Sequence, residues 1–310
     1  MSLRRFAIIT ASCTFVLLLM GGLVHNTRSS LACPDWPLCF GQVFPKMEGG
    51  VLVEHSHRLV AATVTLLAFA LMIGCWRRAA RVRDAGLAKA GVLAFALVLA
   101  QALLGGITVI FRLPTIVSTA HLAVSQLFFL TLIYIAFRAG DGVGRALPQK
   151  VQRMTLWGAG LVYAQMILGA FMRHLGAGLA CTDVPLCQGK LWPTGVHPNV
   201  TLHVAHRLFA IIVLGHLVGM AIVVAKNSAK DSVGRALKVL AIAAPLLACV
   251  QIALGILSVT TFLDAVPVTA HLGVAAAILA DCTILHLAAR GPLRASASAT
   301  TAALAAQVAA

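Results

Sequence analysis

The sequence predicts an all-α integral membrane protein: eight transmembrane helices forming two tandem, parallel four-helix bundles, with a pseudo-twofold axis along the membrane normal. Three observations predict it. Of 310 residues, 60% are hydrophobic and 11% are charged, a balance outside that of water-soluble domains. Eight apolar runs reach the roughly 20 residues that a bilayer crossing requires. Blocks of the first half return in the second, in the same order and at a nearly constant offset, which marks an internal repeat.

The spans are expected near 6–25, 54–76, 85–110, 115–138, 154–174, 200–225, 236–260 and 266–289. The first follows Met1-Ser2-Leu3-Arg4-Arg5. It reads as a retained helix, because it is longer than the apolar stretch of a cleaved signal and its counterpart at 154–174 is internal. With the N-terminus in the cytoplasm, 17 Lys and Arg fall on inner segments and five (Arg28, Lys46, Arg112, Arg173 and Lys190) on outer loops. That excess sets the orientation and puts both termini in the cytoplasm of a multi-pass cell-membrane protein. It also accounts for the net charge of +15 through topology and contacts with anionic membrane lipids, so no nucleic-acid partner is expected.

Taken in order, Leu31–Cys39 in a long outer loop returns as Leu179–Cys187, 148 residues on. His57-Arg58 returns as His206-Arg207, Gln101–Gly105 as Gln251–Gly255, and Thr119–Leu122 as Thr269–Leu272. Each half holds an even number of spans, so the two share one orientation. The inner loop at 139–153 joins them. The expected organisation is an N-terminal four-helix bundle over 1–143, a C-terminal one over 144–290, and a mobile cytoplasmic tail over 291–310.

Ionisable side chains at the mouth of a membrane helix are functional candidates. His57 and His206 open the second helix of their bundles, and His121 and His271 sit early in the fourth. All four therefore lie near the outer face at similar depth. Two imidazoles from two helices of one bundle can clamp a haem iron from both sides, so the four read as two haem sites. Zinc is a weaker alternative, because nothing supplies further ligands at the usual spacing. Glu54 precedes His57 by three residues, which places both on nearly one helix face. The matching position of the second half is His203. One bundle has an acid or base beside its histidine and the other does not, so the first is expected to do chemistry and the second to hold a cofactor.

Arg58 and Arg207 carry two open readings: pairing with haem propionates, or snorkelling to headgroups. His55 is off the Glu54–His57 face and is expected to meet headgroups or the outer loop. His25 and His174 correspond at the outer ends of the first helices and could line the pockets. His197, His216 and His286 have no repeat partner. Cys33 and Cys39, and Cys181 and Cys187, fall in outer loops, an oxidising side. Two disulfides, Cys33–Cys39 and Cys181–Cys187, are expected, with free thiols as the alternative. They would brace a flap over each haem, or the first would exchange with a redox partner. Cys13, Cys75, Cys249 and Cys282 read as small apolar residues.

Cys33-Pro34-Asp35-Trp36-Pro37-Leu38-Cys39, Glu54-x-x-His57-Arg58, His121, Cys181 to Cys187, His206-Arg207 and His271 together resemble the haem A synthase family. The resemblance runs from Gly21-Gly22-Leu23 to the eighth span. It implies stepwise oxidation of the C8 methyl of haem O to a formyl group, for haem-copper terminal oxidases. It implies haem b as cofactor in the C-terminal bundle, between His206 and His271. It implies haem O as substrate in the N-terminal bundle, between His57 and His121, with Glu54 as the catalytic carboxylate. The Cys181 pair belongs to the pattern only in some branches, and His55 stands where the pattern has an aromatic residue. Expected partners are haem O synthase, terminal oxidase assembly factors and an unnamed redox partner; a homo-oligomer is left open. Two other readings stand beside this one: a di-haem b-type electron-transfer cytochrome, and a haem transporter or chaperone.

Overall fold

The computed structural model describes residues 1–140 and 144–291. The expected tail at 291–310 falls outside them apart from Gly291. The described residues form eight long helices: α1 (Leu3–Asn26), α2 (Gly49–Val82), α3 (Ala85–Ile110), α4 (Thr115–Arg138), α5 (Gln149–His174), α6 (Pro198–Asn227), α7 (Ser232–Thr260) and α8 (Ala265–Ala289). A single 3-10 turn, Ala177–Leu179, follows α5. All eight helices are long and apolar enough to cross a membrane, and no β-strand occurs among the described residues.

Helix starts follow local chemistry. The side chains of Ser2, Asp84, Asp231 and Asp264 each accept a hydrogen bond from a first-turn amide, satisfying a donor the helix leaves free. Pro198 opens α6, where its missing N–H costs nothing. Asp231 lies outside the membrane. Its carboxyl is held below the ordinary range first by the Gly234 N–H and then by Arg145, with which it forms an ion pair.

The main departure from expectation is α2, which starts at Gly49, not 54, and spans 34 residues. At 1.5 Å per residue that is about 51 Å, well beyond the hydrocarbon core of about 30 Å. Apolar windows cannot see a polar turn that stays helical outside the bilayer. Here Val51 N and Leu52 N both bond to Glu48 O. Glu54 and His57 therefore sit one to two turns inside the helix, with a rigid platform above them.

α1 packs on α2 and α4, α2 on α3, and α3 on α4; α5, α6, α7 and α8 close a second ring in the same way. The rings meet where α1 packs on α8, α4 on α5, and α4 on α8. A twofold axis makes the first two contacts equivalent and runs through the third, so the pattern is compatible with the expected pseudo-symmetry. Each ring has its own apolar core, and Phe15, Leu18, Leu130 and Phe137 pack against both. Lipid is as apolar as these cores, so close van der Waals fit, not burial from water, holds helices together. Glycines supply it: an added methyl at Gly91 would lie 2.7 Å from Cys75 Cβ.

Candidate functional site

The four repeated histidines share one construction. Each ring lies against a glycine of the preceding helix. A Cβ on Gly21 of α1 would stand 3.2 Å from His57 Cε1, and on Gly105 of α3, 3.4 Å from His121 Cε1. In the second ring the corresponding distances are 2.8 Å from Gly169 to His206 and 3.1 Å from Gly255 to His271. Each imidazole occupies the notch its glycine leaves. His57 and His121 are close enough to interact electrostatically, as are His206 and His271. The backbone carbonyl of Gln101 acts on the His121 ring, and that of Gln251 on His271.

None of the four rings makes a hydrogen bond that satisfies Nδ1, although that atom is buried in all four. A buried polar atom without a partner is unfavourable and calls for an explanation. Paired imidazoles on facing helices, with notched walls, fit the two axial positions of a haem iron. The sequence signal that would have exposed the notches is present: Gly21 returns as Gly169 and Gly105 as Gly255.

Glu54 is buried at 3% exposure. Its Oε2 accepts the Cys33 N–H at 2.8 Å, and its Oε1 pairs with Arg58 Nη2 at 2.5 Å. Arg58 also donates to Asp35 O at 2.6 Å, Leu38 O at 2.5 Å and Cys33 O at 3.4 Å. The pair thus staples the Cys33–Cys39 loop onto α2. In the second half Arg207 donates to Asp183 O at 2.7 Å, Leu186 O at 2.9 Å and Cys181 O at 2.7 Å. His203, at the place of Glu54, meets Ala177 O through Nδ1 at 3.1 Å. The arginines hold outer-loop carbonyls, a role distinct from both readings of the sequence. The repeat of Asp35 and Asp183 inside the loops was its only sequence signal.

Both cysteine pairs are disulfide-bonded, with Cα–Cα separations of 4.9 and 5.2 Å. Each loop is tied further by its aspartate. Asp35 accepts the amides of Phe40 at 2.6 Å and Gly41 at 2.8 Å, and Asp183 that of Gly189 at 3.1 Å. These N–H bonds, led by Gly41 and Gly189, hold both carboxyls below their ordinary value.

The halves differ where the loops meet the rings. Trp36 lies flat against Gly106, whose added Cβ would stand 2.7 Å from the indole; Gly106 adjoins the Gly105 notch of His121. The second half has Val184 and Ile256 at these places. His55 meets Val43 O through Nε2 at 2.7 Å, fulfilling the outer-loop reading, and sits beside the first disulfide. Its counterpart is Val204. With both sulfurs bonded to each other, that cluster offers no thiolate to a metal.

His25 and His174 touch between the halves, with centroids 4.8 Å apart and planes at 71°. The register set by the Gly21 and Gly169 notches pairs His25 with Arg173, one residue earlier than the sequence match suggested. His216 meets Met154 O and His286 meets Thr155 Oγ1, both at 3.0 Å, tying α6 and α8 to α5. His197 caps α6. Asp281, inside α8 with Oδ2 buried and unpartnered, drew no attention in the sequence, though Glu54 is the only other acid within a span.

Residues 4–51 and 46–283 match the COX15-CtaA family, described as cytochrome oxidase assembly protein. The chain is 32% identical over 220 residues to a protein named heme A synthase from Alkalihalophilus pseudofirmus, covering 68% of this chain and 73% of that one. It is 30% identical over 218 residues to one from Shouchella clausii, covering 68% and 72%. A third, from Symbiobacterium thermophilum, is 32% identical over 220 residues, covering 67% and 71%. With a family match along nearly its whole length and relatives of this closeness, the chain belongs to the COX15-CtaA family of cytochrome oxidase assembly proteins.

Proposed function

We propose that this membrane protein is a haem A synthase, oxidising the C8 methyl of haem O to a formyl group for assembly of haem-copper terminal oxidases. The relatives that carry that name support the activity. In this reading the half over 1–143 receives haem O between His57 and His121, and the half over 144–290 holds haem b between His206 and His271. The loops and both sites face the outside, and the termini the cytoplasm, as the distribution of Lys and Arg favours.

One observation carries the division of labour: of the two histidine pairs, the first has beside it a buried carboxylate, Glu54, strapped to Arg58, where the second has His203. Haem b, when bound, supplies one-electron redox chemistry through its iron. The chain supplies the rest. His57 and His121 hold the substrate ring in place, backed by Gly21 and Gly105. Written with water as the oxygen source, each two-electron oxidation, methyl to alcohol and alcohol to hydrated aldehyde, passes two electrons to an external acceptor and releases two protons. Glu54 sits three residues from His57 and accepts one, Arg58 stabilising its charged form until then. The Cys33–Cys39 loop, held by the same two side chains, covers the site against water, with Trp36 packed on Gly106 of α3.

The test is the haem content of the purified protein after co-expression with a haem O synthase in a host lacking haem A. Haem A beside haem B supports both the activity and the two sites. Haem B alone, near two per chain, indicates an electron-transfer cytochrome instead, and haem O recovered unaltered beside haem B indicates a carrier.

A further inference from the structure

On the outer face, between the halves, lies a cavity of about 350 Å³. Its walls are repeat partners: Leu31 faces its counterpart Leu179, and Leu113 its counterpart Leu263. The cavity therefore sits on the axis relating the halves, and belongs to neither histidine pair. Its polar residues are the basic Arg28, Arg173 and His25, with the neutral Asn26 and Ser30 beside them. Arg28 and His25 come from the end of the first half's leading helix, and Arg173 from that of the second. No acid lines it.

This clustering needs a cause. Of the five basic residues expected on outer loops, two converge here. Arg28 and Arg173 are close enough to repel each other, and His25 feels Arg173. The ion pairs among the described residues are Lys46–Glu48, Arg58–Glu54, Arg138–Asp84 and Arg145–Asp231, so neither arginine has a carboxylate partner. Two donors, His25 Nε2 and Arg173 Nε, are buried without any hydrogen bond. Like charges gathered with unpaired donors are unfavourable unless a counter-charge completes them. A water molecule takes about 30 Å³, so the space admits a tetrahedral or planar oxyanion with several waters.

We propose that this cavity binds one oxyanion group, a carboxylate or a phosphate, through Arg28, His25 and Arg173, and that the bound anion ties the two halves together at their outer ends. Guanidinium matches both groups with paired N–H donors. A membrane lipid headgroup or a haem propionate supplies that chemistry. The phosphate source is independent of the proposed activity, and the readout below is not haem A yield, so failure of one reading leaves the other standing.

The experiment is the melting temperature of the haem-loaded protein in nanodiscs of phosphatidylcholine with increasing phosphatidylglycerol, for wild type, Arg28→Gln, Arg173→Gln and the outer-loop control Lys190→Gln. A second arm, in pure phosphatidylcholine, compares protein loaded with protohaem and with its dimethyl ester. A saturable rise with phosphatidylglycerol, half-saturating about tenfold later in Arg28→Gln and Arg173→Gln and unchanged in Lys190→Gln, identifies the phosphate source; tenfold is what one charge-assisted hydrogen bond supplies. A higher melting temperature for protohaem than for its ester, lost in the same two variants, identifies the carboxylate source. If wild type responds in neither arm, or both variants track wild type, the proposal is overturned. Arg28→Gln changes an exposed side chain, and its bound-haem spectrum confirms folding should Arg173→Gln fail to assemble.

Discussion

The glycine notches give the sharpest prediction, because their distances grade. Replacing Gly169 by Ala puts a methyl carbon 2.8 Å from His206 Cε1, while the same change at Gly105 leaves 3.4 Å to His121 Cε1. Carbon atoms prefer about 3.5–4.0 Å. At Gly105 the neighbour gives by about 0.1 Å, and the helix gains up to about 1 kcal/mol from Ala over Gly. At Gly169 the ring must retreat by about 0.7 Å or more, and forcing an extra methyl into a packed site costs about 1–3 kcal/mol. The propensity gain offsets only part of that. If His206 holds a haem iron as proposed, a ring displaced that far would reach it poorly, so Gly169→Ala should weaken haem retention in the second ring by about 5- to 150-fold. Gly255→Ala, at 3.1 Å, should fall between, and Gly105→Ala should be neutral or slightly stabilising. The assay is haem per protein by pyridine haemochrome, with the low-spin bis-histidine spectrum as the second readout. Full haem B and an unchanged spectrum in Gly169→Ala, or a larger loss in Gly105→Ala, would refute the claim that these glycines exist to seat the histidines.

Glu54→Gln should retain both haems yet stall at haem O or its alcohol; normal haem A yield by chromatography removes the carboxylate from the chemistry. Arg207→Ala breaks three bonds to loop carbonyls, one exposed and two part-buried, so protease should cut the Cys181–Cys187 region faster while the first loop is unaffected; equal cutting rates contradict the staple. Asp35 and Asp183 are held below the ordinary carboxylate value of 3.8, so their contribution to loop order is fully present above about pH 4 and lost only as pH falls through the lowered values; loosening that begins above pH 5 in a proteolysis series would count against it. Trp36→Ala should reduce haem O occupancy of the first ring and leave haem B in the second intact, since Val184 stands in its place there; a parallel loss of both haems would make Trp36 merely structural.

The eight spans and the repeat were legible because both rest on long-range periodicity that composition alone reveals. The disulfides were legible for a different reason: five intervening residues on an oxidising side leave little else for two cysteines to do. The helix limits were not, since Gly49-Gly50 reads as a break but continues α2 through backbone bonds to Glu48 O. Nor was the purpose of Arg58 and Arg207. A guanidinium near a membrane surface has many uses, and only the folded loop brings carbonyls 20 to 26 residues away within reach. The His25 register was obscured by local sequence: two basic residues, Arg173-His174, stand where the first half has one histidine.

The two staples also explain why the halves diverged where they did. Both loops are held to their helix by one arginine. In the second half a further tie on α6 is His203 to a carbonyl, a contact that survives with no charge on either side. In the first half the tie is the Glu54–Arg58 ion pair, with the Cys33 N–H bond to the same carboxylate. A proton delivered to Glu54 removes the attraction for Arg58 and weakens the acceptor for Cys33 N–H together, so proton transfer and loop release become one event. A site that must admit a substrate and let a product go needs such a release, whereas a site that keeps its cofactor is better served by a staple that no proton can open.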